Sequence, residues 1–549
     1  MQITTYDGGT MHSLFSRSFF PARAVLGVTI LLGAVIPPAR ADNGVDFPVS
    51  CSPPAAALVE QGVEQLHHMM YLNARSKFSE AESIDETCGM ALWGLAMTYI
   101  HPLWPDRPTR DEMLLGAELA GRAARLDGMT PREQAYLATT AAYFRDGLNR
   151  TEPERLTSFE SAWEIVASEN PEDLEARAFH ALSQLATVDR GDATYSQQRV
   201  AGELLEQVLA EVPDHPGGHH YLIHAYDFPG LAEKALPTAR NYGVVAPAVP
   251  HALHMMSHIF TLEGLWDESI EWNERSADAA LQLSQEIGAV SVHYLHALDY
   301  LVYAHLQTGN ETAARDVVET MANLEPPFDA VNRDAQAYAL AASPTRLVLE
   351  RKDWSAATEL QPMSPQTFPW EATHDKFVAM THFARGVGFV QLGDVDKAGD
   401  ELRRLIEIRD ATGEHSAYWA KQVDIQRLAL EGQIAFATGD HAEALALLAE
   451  AATLEAGTQK SPVTPGAVLP AAELHGETLL SMGEHEAALV AFEDSLSRAP
   501  LRANSLFGAA EALRAKGDLA AARTYYEQIA AQSMGQESAV IRAAREQLR

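Results

Sequence analysis

Residues 474–500 read LHGETLLSMGEHEAALVAFEDSLSRAP, and residues 501–526 follow the same plan. In each stretch a first amphipathic segment ends at a turn glycine, after which a second segment begins. The marked positions of the first stretch are Gly476, Gly483, Ala488, Phe492 and Pro500. In the second stretch Ala522 and Tyr526 follow the turn glycine Gly517, which lies 34 residues after Gly483. Such a unit cannot bury its apolar face alone, which predicts that neighbouring units stack on a shared core.

Less regular copies of this pattern run through most of the chain. They are centred on Gly386, Gly393 and Ala398, on Gly432, Gly439 and Ala444, and on Ala74, Phe78 and Ala81. The spacing and residue types resemble the tetratricopeptide repeat (TPR) over residues 53–545. Strand patterns are nearly absent, so the predicted fold class is all-α: a TPR-like α-solenoid, which is a right-handed superhelix of helix-turn-helix repeats. In such a repeat small residues let two helices approach closely, and an aromatic residue fills the gap to the next unit.

The sequence predicts four parts. Residues 1–41 form a signal peptide, and residues 42–323 form N-terminal and central TPR-like repeats with a histidine-rich groove. Residues 324–369 form an irregular, proline-punctuated connection, and residues 370–549 form C-terminal TPR repeats. Whether the connection closes the groove as a lid is left open at this stage.

The N-terminal residues have the features of an export signal. Arg17 and Arg23 precede an apolar run at residues 24–36, and Ala39-Arg40-Ala41 offers a small-x-small site with cleavage after Ala41. A periplasmic or secreted location follows as an expectation. No other apolar run approaches the length of a bilayer-spanning helix, so no membrane span is expected. In an exported chain the two cysteines, Cys51 and Cys88, can form a disulfide; the alternative is two unpaired thiols.

The charge balance limits the classes of partner. The formal net charge is −34, whereas nucleic-acid binding needs a basic surface that displaces counterions. Docking on anionic lipid is disfavoured for the same reason. The expected partners are therefore a small-molecule substrate or a peptide in the concave groove, with an envelope protein as a further possibility.

Ten of the 21 histidines lie between Pro213 and His305. Within this stretch His220 and His224 are four residues apart, as are His254 and His258, and the second pair follows the first by 34 residues. Residues four apart share one face of a helix, so two parallel helices would present imidazoles to one space.

The TPR resemblance supplies a register for these side chains. In TPR proteins the second, fifth, ninth and twelfth positions of each first helix face the concave groove. Prolines and turn glycines at both ends of the units place eight groove-facing residues on three consecutive first helices: His220, His224, Asp227, His251, His254, His258, His296 and Asp299. Tyr303 takes the ninth position of the third helix, while His67 and His101 fall at the groove edge. His215, His219 and His305 have no groove register.

This cluster favours a transition-metal site, since imidazole is a common ligand of zinc, copper and iron. The predicted ligands are His220, His224, Asp227, His251, His254, His258 and His296. Zinc and copper are the expected ions, with iron as a third option. Asp299 and Tyr303 are the candidate catalytic residues, and Tyr294 and Tyr300 are further hydrogen-bond donors to a substrate. A metal-free acid-base site and a polar groove for a peptide remain alternatives.

A zinc peptidase of the HExxH class is disfavoured. His254 and His258 have the spacing of that motif, but Met255 stands where the catalytic glutamate belongs.

Three strings are similar to those of a group of exported bacterial TPR proteins: ETCGMALWGLAMTYIHPLW, the paired HYLIHAYD and HALHMMSHIFTLEG, and SPVTPGAVLP. This resemblance implies the fold and a specialised groove, and no particular reaction. The predicted function is an exported metal-dependent enzyme or metal-handling protein acting on a small molecule. The alternative is a periplasmic adaptor that binds a peptide or an envelope protein without catalysis.

Overall fold

The structure is a computed structural model that describes residues 44–535 and 537–549. The predicted signal peptide and its cleavage site lie outside the described residues. Within them the regular elements are helices, apart from one bridge between Val290 and Phe328, which confirms the predicted all-α fold class. In this part of the chain no helix combines the length and the apolar character that crossing a bilayer requires.

The N-terminal part holds eight helices. They are α1 (Pro53–His67), α2 (Tyr71–Ile84), α3 (Gly89–Met97), α4 (Arg110–Ala123), α5 (Pro131–Phe144), α6 (Glu152–Glu169), α7 (Leu174–Ala186) and α8 (Ser196–Glu211). The next six contain most of the histidine-rich stretch: α9 (Pro216–Tyr226), α10 (Ala232–Val245), α11 (Pro250–Leu262), α12 (Trp266–Ile287), α13 (Val292–Gln307) and α14 (Glu311–Ala322).

The C-terminal part begins with a helix pair and continues as regular hairpins. Its first members are α15 (Arg333–Glu350), α16 (Trp354–Glu359), α17 (Asp375–Gln391), α18 (Val395–Gly413), α19 (Ala417–Thr438) and α20 (His441–Ala456). The last are α21 (Ala471–Ser481), α22 (His485–Arg498), α23 (Ala503–Lys516), α24 (Leu519–Ala531) and α25 (Ala539–Leu548). Each helix packs on the next along the whole series. The odd-numbered helices from α7 to α25 also touch one another in order, so they form one continuous row.

The repeat spacing depends on an aromatic ring held between two glycines. A Cβ atom at Gly508 would lie 2.2 Å from the ring of Phe492, and one at Gly476 would lie 3.0 Å from it. The same arrangement returns near the N-terminus, where Cβ atoms at Gly62 and Gly94 would lie 2.6 and 2.2 Å from Phe78. The glycines therefore allow three helices to close on one ring, as the sequence pattern indicates.

Residues 324–369 differ from the irregular connection that the sequence suggests. They contain the 18-residue helix α15 and the short helix α16. Pro344 lies inside α15, whose residues are nearly all buried. A proline removes one helical hydrogen bond and disfavours a helix locally, but burial of the helix on its neighbours outweighs that cost.

A different irregular stretch, residues 457–470, passes close to the histidine-rich helices. We call it the crossing segment. Its Gln459 amide donates to the carbonyl of Arg190 at 2.8 Å, and Thr464 accepts from the Tyr338 hydroxyl at 2.6 Å. Between these contacts Lys460 pairs with Asp227. The crossing segment, and not residues 324–369, is therefore the irregular stretch that contacts Asp227 beside the histidines.

Of the two alternatives that the sequence leaves open for the cysteines, the structure has the disulfide. Cys51, just before α1, is bonded to Cys88, the residue that precedes α3, across 37 residues of sequence. The bond ties the N-terminal tail to the first hairpin.

Replacing Gly508 by alanine is expected to destabilise the C-terminal repeats by about 1–3 kcal/mol, because the new methyl group would overlap the ring of Phe492. Gly399→Ala is the matched control. It lies in α18 with no atom within 4 Å of the added Cβ, and it should stabilise the helix by about 0.5–1 kcal/mol. Urea unfolding measures the free energy of unfolding of both variants. Equal changes would contradict the close packing of Gly508 on the Phe492 ring.

Replacing both cysteines by serine is expected to lower the free energy of unfolding by up to about 4 kcal/mol, the chain-entropy value for a loop of this length. Thermal unfolding with and without reductant checks this. The wild type should shift with reductant, and the double variant should not.

Candidate functional site

Three helices of the continuous row present the histidines. Pro216 and Pro250 begin α9 and α11, where a missing N–H costs nothing. The His215 ring accepts from the Gly218 amide and caps α9, while Ser291 caps α13. These starts set the rotation of each helix. All thirteen residues of α11 are buried, so its histidines face protein on every side.

Six of the predicted ligands form two sets. The first triad is His220, His224 and His251, and the second triad is His254, His258 and His296. Within each triad one ring nitrogen of every member lies within 4.8 Å of the others. All six side chains are buried. The structure therefore brings together the six histidines that the repeat register selects.

His254 is held in one tautomer by Asn273. The Asn273 side-chain nitrogen donates to the carbonyl of Ser269 at 2.7 Å, which turns the amide oxygen towards His254. His254 Nδ1 lies 2.8 Å from that oxygen and donates to it. The Nε2 atom of a neutral His254 consequently carries a lone pair.

His258 is oriented in the same way by Asp227. Its Nδ1 lies 2.8 Å from Oδ2 of Asp227, and the same oxygen accepts from the Lys460 ammonium. Burial raises the pKa of Asp227, and Lys460 opposes that rise. The Tyr300 hydroxyl also approaches His258 Nδ1, at 3.2 Å. Asp227 therefore stands beside the second triad as an orienting acceptor, and its Oδ1 has no hydrogen-bond partner in the described chain.

The Nε2 atoms of His254 and His258 are 3.0 Å apart. Desolvation lowers the pKa of His254 to about 4 and holds the pKa of His258 well below its ordinary range. Near pH 7 both rings are neutral, and both Nδ1 protons are already engaged. In the tautomer in which His258 Nδ1 donates to Asp227, two lone pairs face each other at hydrogen-bond distance; the other His258 tautomer would make this contact a hydrogen bond.

The first triad is less fully oriented. His220 Nδ1 donates to the carbonyl of His67 at 2.6 Å, which leaves its Nε2 as a buried lone-pair site. Neither ring nitrogen of His224 or His251 has a hydrogen-bond partner among residues 44–535 and 537–549. Burial lowers the pKa of His220 to about 3 and holds the pKa values of His224 and His251 well below their ordinary range.

The two triads touch each other. The ring centres of His224 and His258 are 5.6 Å apart, and those of His251 and His254 are 6.1 Å apart. Trp104 closes one side, with its ring 5.2 Å from His251 and 5.8 Å from His296. Histidines from three helices thus form one contiguous buried cluster.

The candidate catalytic residues Asp299 and Tyr303 point elsewhere. Asp299 accepts from Ser343 at 3.1 Å and lies 3.8 Å from Arg346, so it faces α15. The Arg346 guanidinium lies over the Tyr303 ring, 5.0 Å from its centre. Both residues lie on α13, but their contacts are with arginine and α15 instead of imidazole. Tyr300 is the tyrosine that touches the second triad, and Tyr294 is only partly buried.

The repeat register does not predict several residues that lie near the triads. His215, which the register set aside, lies 3.2 Å from Glu175, and His67 donates from Nε2 to the same carboxylate at 2.6 Å. Asn273 and Lys460 also remained unidentified. Lys460 lies on a distant unit and Glu175 lies on α7, outside the histidine-rich stretch, so the pattern around the histidines contains no signal for them. His101, predicted at the groove edge, pairs with Asp106 and packs on Tyr71.

An aromatic cleft with a volume of about 130 Å³ lies on the other side of Lys460 from Asp227. Its lining includes Tyr195, Phe228, Phe377, Tyr418 and Trp419. Lys460 is part of the same lining and pairs with Asp227, which bonds His258. One ion pair therefore separates the cleft from the second triad.

Comparison with known proteins supports the repeat where it is most regular. The family profile described as tetratricopeptide repeat matches residues 474–537. No curated protein matches the chain. Solved structures with a related helical arrangement include the human IFIT1 dimer with m7Gppp-AAAA, at 12% identity and a TM-score of 0.39 over 80% of this chain and 89% of that one. Yeast Tom70 gives 12% identity and a TM-score of 0.34 over 90% and 96%. At these scores the structural likeness carries no argument about activity, and membership of the exported bacterial group stays a prediction.

The metal-free protein is expected to lose stability as the pH falls below about 6.5. Burial lowers the pKa of His68 to about 3, so the unfolded chain takes up this proton first and folding becomes less favourable. One such histidine should cost about 2 kcal/mol between pH 7 and pH 5. Urea unfolding at several pH values, in the presence of a chelator, measures how steeply the free energy of unfolding changes with pH. His68→Leu should reduce the number of protons taken up on unfolding by up to one. An unchanged pH dependence would contradict the lowered pKa of His68.

Proposed function

We propose that the protein binds a transition-metal ion at the second triad and uses it as the reactive centre for a small molecule that enters through the aromatic cleft. The observation that carries the proposal is the 3.0 Å separation between Nε2 of His254 and Nε2 of His258. Both atoms are lone-pair donors, because Asn273 and Asp227 accept the Nδ1 protons. A cation between them turns a repulsive contact into a favourable one.

A shared proton explains this contact less well than a metal ion. The low pKa of His254, about 4, makes protonation of the pair unfavourable near pH 7. Two imidazoles bound to one tetrahedral ion at about 2.0–2.1 Å would have their nitrogens about 3.3 Å apart, close to the observed separation. His296 contributes a third nitrogen within 4.8 Å of the other two.

The donor set favours zinc or copper. Three neutral imidazoles suit both ions, and three protein ligands leave a coordination position for water or substrate. Iron remains a lesser candidate. Two of the imidazoles together with Asp227, whose Oδ1 has no partner in the described chain, would supply the two-histidine, one-carboxylate set that ferrous iron uses.

The hydrogen bonds around the triad resemble the support that metal ligands receive in general. An acceptor on the far nitrogen fixes the ring orientation and increases the basicity of the near nitrogen. Asn273 and Asp227 serve as those acceptors for His254 and His258. Lys460 pairs with Asp227 and opposes the rise in pKa that burial causes in that carboxyl.

The surroundings favour a small ligand over an extended peptide. The crossing segment hydrogen-bonds with the loop between α7 and α8 at Arg190 and with α15 at Tyr338. A peptide along the groove would have to displace it, whereas a compact molecule in the aromatic cleft would not. The disulfide between Cys51 and Cys88 supports an oxidising compartment, and we therefore propose a periplasmic or secreted location with cleavage after Ala41.

A second candidate function is that of an adaptor. The TPR match at residues 474–537 favours it, because stacked TPR units commonly serve as protein-interaction scaffolds. Such a role would use the C-terminal repeats and would not require the triads, so partner binding should persist when the triad histidines are replaced.

Metal analysis separates the two candidates. Protein purified from the oxidising compartment, or reconstituted with zinc or copper, should retain about one equivalent or more after desalting. The double variant His254→Gln/His258→Gln should lose that ion. His441→Gln is the control, since His441 is exposed at the start of α20.

Retention of less than about 0.1 equivalent by the reconstituted wild type would end the metal proposal and leave the adaptor. Metal that stays in the double variant would place the ion elsewhere. Circular dichroism of each variant shows whether the helices persist, so that loss of metal is not mistaken for loss of fold.

A further inference from the structure

We infer that the first triad holds a second transition-metal ion, so that the cluster is a two-ion centre. This inference rests on the proposed function, since it takes the second triad as the primary site. It concerns His220, His224 and His251, all buried, with one nitrogen of each within 4.8 Å of the others.

The two triads are one motif used twice. In the repeat register His220 and His224 hold the fifth and ninth positions of α9, and His254 and His258 hold the same positions of α11. The third member lies on the following first helix at the second register position, counted back from the turn glycine. It is His251, 13 residues before Gly264, in one case and His296, 13 residues before Gly309, in the other. Stacked repeats place equivalent positions in equivalent surroundings. An ion at one triad therefore argues for an ion at the other.

The unequal sequence spacing does not break this equivalence. From His220 to His254 the distance along the chain is 34 residues, whereas from His251 to His296 it is 45. The longer intervening helix supplies most of the difference, because α12 has 22 residues and α10 has 14, and the rest comes from α13, which has 16 residues against 13 in α11. The first helices stay in contact, α9 with α11 and α11 with α13.

The motif ends on the next helix. On α13 the fifth and ninth positions are Asp299 and Tyr303, which contact Arg346 instead of a third set of imidazoles. A buried arginine at that point supplies the positive charge that an ion would otherwise supply. The repeat register thus predicts two ion sites and no third.

The donor atoms of the first triad are available. His220 donates from Nδ1 to the carbonyl of His67, so its Nε2 can bind a metal. In the described part of the chain, His224 and His251 have no hydrogen-bond partner at either nitrogen. A buried polar atom without a partner is costly, and metal coordination removes that cost.

A third cluster in the described residues consists of His67, His215 and Glu175, and most of its donor atoms are already hydrogen-bonded. His67 is bonded to Glu175 through Nε2, at 2.6 Å, and to the Tyr221 hydroxyl through Nδ1, at 3.0 Å. His215 lies 3.2 Å from the other oxygen of Glu175 and accepts from the Gly218 amide. His67 and Glu175 are thus engaged by hydrogen bonds within the set, whereas Nε2 of His215 makes none. The contribution of this set to the centre is the carbonyl of His67, which it holds against His220.

Charge decides which ions can fill both sites. The triads are adjacent, with His224 and His258 ring centres 5.6 Å apart, and Asp227 is the carboxylate that contacts their ligands. Two divalent ions repel each other four times as strongly as two monovalent ions at the same separation. Cuprous copper, which is monovalent and accepts three-coordinate imidazole ligation, therefore suits double occupancy best. Zinc should fill the better-oriented second triad and bind the first more weakly.

Metal titration tests the inference. The wild type is titrated anaerobically with cuprous ion, kept reduced by ascorbate, against a colorimetric cuprous chelator; zinc is titrated in parallel. The wild type should bind about two cuprous ions. His220→Gln/His224→Gln and His254→Gln/His258→Gln should each bind about one. His219→Gln is the matched control, because His219 lies on α9 and is buried but bonds the carbonyl of Pro213 instead of joining a triad.

The outcomes are distinct. One cuprous ion in the wild type that is retained in the first-triad variant overturns the second site and leaves the proposed function intact. One ion that is lost in both double variants overturns the two-ion centre in favour of a single ion shared by the triads. No ion in the wild type removes both proposals. Should the first-triad double variant fail to fold, His251→Gln alone provides the same comparison with one ligand removed.

Discussion

Close helix approach at glycine is the constraint on which the rest of the structure depends. Phe492 fills the space that Gly476 and Gly508 leave open, and Phe78 does the same between Gly62 and Gly94. Around the candidate site the rule serves a second purpose. A Cβ at Gly217 would lie 2.4 Å from Nδ1 of His67, so α9 can approach α1 only because that residue is glycine. This approach brings the carbonyl of His67 to His220. The spacing that makes the repeat thus also orients a candidate ligand.

The repeat register was sufficient to find the histidines because their placement is a local property. A side chain at the fifth or ninth position faces the row of first helices wherever the hairpin packs regularly, and His220, His254 and His258 obey that rule. Asp299 occupies an equivalent position, yet its contacts are with Ser343 and Arg346. The register predicts which face of a helix a side chain lies on. The residue that the side chain contacts there depends on what the neighbouring helix contributes.

The residues that the sequence did not identify are those joined by long-range contacts. Lys460 meets Asp227 across 233 positions, and His67 meets Glu175 across 108. No periodicity links such pairs, because their proximity follows from how the helices stack over many units. Residues 324–369 show the opposite limitation. Proline spacing there suggested a break, but α15 is buried on nearly every face, and tertiary packing outweighed the local preference.

Burial of so many imidazoles gives the centre its chemical character. Desolvation keeps each ring neutral near pH 7, so the triads present lone pairs instead of positive charge. A cluster of neutral donors in a dry interior is costly for the protein alone and favourable once a cation is bound, because each lone pair then gains a partner. The crossing segment contributes to the same end, since Lys460 neutralises Asp227 and separates the cluster from the cleft. A groove that in an open repeat array would face solvent is here an interior, and this enclosure is the physical reason for proposing coordination by neutral histidine instead of recognition of a peptide.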